Sequence, residues 1–147
     1  MRKMLMLVAA AGVLVLALNG TAAADSAYHT ERLALSGLSG AQGGGMVVNA
    51  HANGPNVYAH EIYTLRHVAP GTYHVVLNIY ATSLSCGGAP IEIETAQIST
   101  NAAGNGRADA KFTPEDAGGL RGSTVSVRWT VSGPATYATQ CTVVTLD

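Results

Sequence analysis

Val125, Val127, Trp129 and Val131 alternate with Thr124, Ser126, Arg128 and Thr130. A strand turns successive side chains to opposite faces, so this run has one apolar face and one polar face. The same period of two recurs in Val75, Leu77, Ile79 and Ala81 against His74, Val76, Asn78 and Tyr80. It recurs again in Ala108, Ala110 and Phe112 against Arg107, Asp109 and Lys111. Strands that each hide one face must lay those faces against one another, which points to antiparallel layers.

Turn chemistry separates the runs: "NGPN" at 53–56, "APG" at 69–71, "CGGAP" at 86–90, "NAAGNG" at 101–106 and "SGP" at 132–134. Strands are accordingly expected at 46–52, 57–68, 72–83, 91–99, 107–112, 123–131 and 136–146. Seven short strands with no long helical pattern predict an all-β, antiparallel, Greek-key-like sandwich. One helical turn is expected in "TPEDAGGL", where Thr113 can cap, Pro114 suits the first helical position, and Gly118-Gly119 ends it. Residues 25–45 carry the weakest pattern: a short apolar stretch from Leu33 to Leu38, then five glycines within residues 37–45. They read as an edge strand or turn in a flexible Gly-rich arm, leaving 46–147 as the sandwich domain. The stretch "APGTYHVVL" resembles the Pro-Gly-x-Tyr hairpins of secreted immunoglobulin-like and prealbumin-like sandwiches. That resemblance implies an architecture and not a family.

Residues 1–24 read as a cleaved export signal. Arg2 and Lys3 precede an uncharged apolar run from Met4 to Leu18, and Ala22-Ala23-Ala24 offers the small residues of a cleavage site. The run is shorter than the roughly 20 residues of a spanning helix, and no later segment is apolar enough to cross a bilayer. The chain is therefore expected to act outside the cytoplasm, secreted or periplasmic. Cys86 and Cys141 are the only cysteines, and in that compartment they are expected to form a disulfide. Beyond the signal, six basic residues face nine acidic ones and no basic patch forms. Nucleic acid and anionic membrane are poor partners for such a surface.

His60, His67 and His74 recur at every seventh position. Seven residues of straight strand span roughly 23 Å, and an odd spacing turns neighbours to opposite faces, so the row is no ligand spacing. Pairing across strands is the remaining route. A three-residue loop at "APG" would set Val68 opposite Thr72, Arg66 opposite His74, and His60 opposite Tyr80. A turn tipped by Pro55-Asn56 would set His51 opposite His60; a four-residue loop would slide His51 to Tyr58. The first register makes His51, His60 and Tyr80 a row over three strands. That row is the candidate surface patch, or a weak copper or zinc site, with His29 as a third imidazole if the N-terminal arm folds over. No His-x-His pair occurs, and neither His nor Met follows Cys141, which excludes the usual exported copper sites.

Glu92 and Glu94 in "IEIE" share one strand face and are expected to point to water while Ile91 and Ile93 point inward. No G-x-S-x-G or H-E-x-x-H pattern is present. Trp129 reads as core, and Tyr58 and Tyr80 as the better exposed aromatics. The expectation is a secreted, non-catalytic binding or structural module without a cofactor, whose partner is an extracytoplasmic protein or glycan. Weak copper or zinc binding is the alternative, and a small secreted hydrolase comes third.

Overall fold

The computed structural model describes residues 29–51 and 59–146. The expected export signal, the turn at 53–56 and Tyr58 lie outside them. The described residues form nine strands: β1 (His29–Gly37), β2 (Gly44–His51), β3 (Ala59–Arg66), β4 (Thr72–Tyr80), β5 (Ile91–Ser99), β6 (Gly106–Phe112), β7 (Thr124–Ser132), β8 (Thr136–Ala138) and β9 (Thr142–Thr145). A single helical turn, α1 (Pro114–Ala117), sits between β6 and β7 and runs into a 3-10 turn at Gly118–Leu120. Asp116 closes α1 from within: its Oδ2 accepts from the Thr113 backbone N–H at 2.6 Å and from Thr113 Oγ1 at 3.0 Å.

All pairings are antiparallel, in the order β5-β4-β7-β8-β1-β2-β3-β6, with β9 also on β7. The expected all-β sandwich is present in a more continuous form. Its two layers are one sheet folded over: β8 bridges β7 to β1 on one side, and the end strands β5 and β6 face each other on the other. The result is nearly a closed barrel. β4, β5 and β6 follow in order, and β7 returns through the α1 connection to lie beside β4, which is Greek-key connectivity.

Residues 29–37, where the pattern left an edge strand or a turn within a Gly-rich arm, form the nine-residue strand β1. Leu33 lies opposite Val47, and Gly37 lies opposite Tyr137 of β8. The small Ala34 and Ser36 that alternate with inward Leu33 and Leu35 leave a shallow hydropathy contrast, which makes the period faint. Gly44 and Gly45 belong to β2 rather than to a loop. A Cβ at Gly45 would overlap the Thr64 carbonyl oxygen, so the close approach of β3 needs glycine there.

The "APG" segment also departs from expectation. It is a corner between layers and not a hairpin, because β3 pairs with β2 and β6 while β4 pairs with β5 and β7. His67 has φ 54°, which bends the chain out of β3. The corner is then tied down from three sides. Val68 N–H donates to Gly104 O at 3.2 Å, Gly71 N–H to Thr100 Oγ1 at 2.8 Å, and the Tyr73 hydroxyl to Ala69 O at 2.7 Å. Gly104 has φ +71°, and a Cβ on it would overlap the Val68 carbonyl oxygen. Gly104→Ala should therefore lower stability by more than about 1 kcal/mol, measured as a fall in the urea midpoint at unchanged slope.

The core fills the space between the layers with Val47, Tyr63, Leu65, Tyr73, Val75, Ile98, Val125, Val127, Trp129, Val131 and Tyr137, all essentially inaccessible. Each such side chain contributes roughly 1.5–3 kcal/mol relative to exposure. At the end where β4 begins, Tyr73 and Tyr137 close the barrel with ring centroids 6.0 Å apart. The Tyr137 hydroxyl donates to Gln42 O at 2.6 Å. Cys86 and Cys141 form the expected disulfide, with a Cα separation of 5.8 Å. It joins the connection after β4 to the short break between β8 and β9.

Candidate functional site

The residues singled out by sequence are dispersed. β2 and β3 pair His51 with Ala59 and Ala50 with His60, one residue away from either register considered. A slip of one residue reverses the face. His51 is consequently buried, while His60 sits outside against Asp109 Oδ2 at 3.2 Å. Tyr80 lies on β4, opposite Ser126 of β7, and is buried, so no row of three adjacent strands forms. His74 is outside as well, 2.8 Å from Glu94 Oε1, and that contact holds the Glu94 carboxyl below the usual carboxylate range. Glu92 and Glu94 are exposed, as expected. His29 does come to His51, with ring centroids 5.5 Å apart. Among the described residues, no group of three or more His, Cys, Asp or Glu side chains is placed to hold a metal ion.

The structure offers a different site. The barrel end opposite the two tyrosines is open, and a cavity of about 240 Å³ enters between the layers there. Leu77, Ile79, Ile93, Val127 and Val144 form its apolar walls, and Ala117 and Leu120 of the α1 connection lie over its mouth. Ile91, expected to point inward, lines the rim and is half exposed. A 150 Å³ apolar cavity holds a benzene-sized molecule, so this one admits a somewhat larger guest.

One wall is polar, and it follows from strand parity. Glu31, Asn49, His51 and Glu61 all occupy odd positions, on the inward faces of β1, β2 and β3. Glu31 stands behind the wall, where its Oε2 accepts from Asn49 Nδ2 at 3.0 Å and its Oε1 lies 3.1 Å from His51 Nε2. Asn49, His51 and Glu61 line the cavity itself.

Glu61 is 3 % exposed and is the deepest charge-bearing group in the barrel. Its Oε2 accepts from Trp129 Nε1 at 2.7 Å and from the Tyr63 hydroxyl. The Tyr63 oxygen in turn lies 2.7 Å from Thr95 Oγ1 on β5. Thr95 can reach it because β5 bulges there: Ala96 faces Val75 and Glu94 faces Val76, which leaves Thr95 without a partner of its own. The chain Trp129–Glu61–Tyr63–Thr95 thus links β7 and β5 of one layer through β3 of the other. Burial pushes the Glu61 carboxyl up to about 7, with Glu31 adding to the rise and the two donors opposing it. Burial, followed by the charge of Glu61, pushes the Tyr63 hydroxyl up too, so it stays a donor.

Sequence reasoning missed Glu61, although the signal was present. Tyr63 and Leu65 alternate with Thr64 and Arg66 on one apolar face, and Glu61 shares their parity. An acidic residue on a core face breaks the binary pattern, and such breaks mark functional or strained sites.

Comparison of the chain with protein-family profiles, with curated proteins and with solved structures finds no match.

Proposed function

We propose that the chain is a non-catalytic, extracytoplasmic binding module and that the cavity beside Glu61 is its binding site for a small apolar ligand. The observation that supports this reading is the combination of apolar walls with a few buried polar groups, Asn49, His51 and Glu61, the usual make-up of a small-molecule site. The disulfide fits an oxidising compartment.

Trp129 is the only tryptophan in the chain and lines the cavity, so its fluorescence reports occupancy directly. Titration with toluene or 1-hexanol should change Trp129 emission in a saturable way. Ala117→Phe, which fills the mouth, should abolish the change while leaving the thermal midpoint within a few degrees. A linear, unsaturable response in both proteins would reject the pocket as a binding site.

The Glu61 carboxyl also favours a second reading. A carboxyl near neutrality inside a cleft is what a general acid requires. Turnover in a broad hydrolase screen, lost in Glu61→Gln, would replace binding with catalysis.

A further inference from the structure

We propose that the ligand of this cavity is a small apolar amine whose ammonium group donates to Oε1 of Glu61. The inference rests on the cavity being the binding site and goes on to name its ligand class. Both donors that Glu61 meets among the described residues go to Oε2, and Oε1 is not one of the sealed side-chain atoms without a partner, which leaves it open to a donor from the cavity that Glu61 lines. A carboxylate oxygen left in that state inside a cavity is stabilised by a donor from the guest.

The charges around the cavity select the sign of the guest. The lining residues include two carboxylates, Glu61 and Asp116, and neither lysine nor arginine. Glu31 stands behind the wall and adds to the negative field at Glu61. A guest carboxylate would meet like charge in a poorly solvated space. A neutral hydroxyl satisfies Oε1 but leaves the negative charge unbalanced. An ammonium does both, and charge-assisted hydrogen bonds are about twice as strong as neutral ones. The raised carboxyl of Glu61 agrees, since it is a site where negative charge is under-compensated.

The rest of the site limits the body of the guest. Asn49 and His51 share the polar side with Glu61, and the rest of the lining is largely apolar, with Leu77, Ile79, Ile93 and Val127. An unbranched or monocyclic hydrocarbon tail therefore suits the space, and a sugar or a zwitterionic amino acid does not.

Three probes of equal length decide the matter: n-hexylamine, 1-hexanol and hexanoate, titrated into the purified protein at pH 8 while Trp129 emission is followed. Hexylamine should bind about tenfold tighter than hexanol, with hexanoate weakest. In Glu61→Gln the amine and the alcohol should bind within about threefold of each other, because the charge is gone while the acceptor remains. Saturable hexanol binding with no amine preference in the native protein would overturn this inference and leave the pocket reading standing. A preference that survives Glu61→Gln would also overturn it. Failure of all three probes to perturb Trp129 would reject both. The comparison on the native protein stands by itself if the variant does not fold.

Discussion

Glu61→Gln should make the protein about 3 kcal/mol more stable at pH 8 and leave it nearly unchanged at pH 4. The reason lies in the shift of the Glu61 carboxyl from its ordinary 4.5 to about 7. A raised carboxyl means that the folded state holds its proton more tightly than the unfolded chain does. Between pH 4.5 and 7 unfolding therefore releases a proton, and stability falls as pH rises across that window. Above 7 both states are ionised and the loss is complete. Glutamine keeps an oxygen for Trp129 Nε1 and the Tyr63 hydroxyl but has no charge to desolvate, so the variant should lack this slope. Urea midpoints of both proteins at pH 4, 6 and 8 would show it. Parallel pH profiles would mean that Glu61 is solvated in solution and that the cavity is wetter than described.

Replacing Cys86 and Cys141 by alanine should cost about 4 kcal/mol. The two cysteines are 55 residues apart, and opening that loop returns much conformational freedom to the unfolded chain. The folded state keeps other ties in the same place. Cys86 N–H donates to Ser126 Oγ at 3.0 Å, and Ser126 Oγ–H donates to Ser83 O at 2.6 Å, so the connection after β4 remains seated on β7. The loss should therefore appear mainly in the folding equilibrium, with a single cooperative transition retained. Urea unfolding of the double variant, beside the reduced native protein, checks both points. A loss under about 1 kcal/mol would assign the closure of this end to the Ser126 contacts instead.

The strands were legible wherever side-chain contrast was strong. Val125 to Val131 and Tyr73 to Ile79 announce their buried faces by simple alternation, and α1 announces itself by Thr113, Pro114 and Gly118. β1 was hidden because Ala34 and Ser36 are too small to contrast sharply with Leu33 and Leu35. The His51–His60 register depended on the turn at 53–56, and a single residue in such a turn decides which face every side chain takes. The partner of β4 could not be read at all: alternation tells which side of a strand is buried and says nothing about its neighbour. Hence "APG" passed for a hairpin when its Pro, Gly and Tyr serve a corner. The cavity is similarly invisible in sequence, since its lining comes from seven of the nine strands and the α1 connection. Its one advertised member was Glu61, out of place beside Tyr63 and Leu65.

The folding-over of the sheet has a bearing on self-association. An open sheet presents unpaired N–H and C=O groups along its outermost strands, and a second molecule can continue the ladder from there. Here the outermost strands, β5 and β6, shield each other across the seam, with the Tyr63–Thr95 contact spanning it. β9 is four residues long, and the part of β1 that β8 does not reach carries Glu31 and Arg32. Short length and charge both discourage templated growth. Among the described residues, the strand edges are thus short, charged or set against one another, which opposes the addition of a further strand from a second molecule.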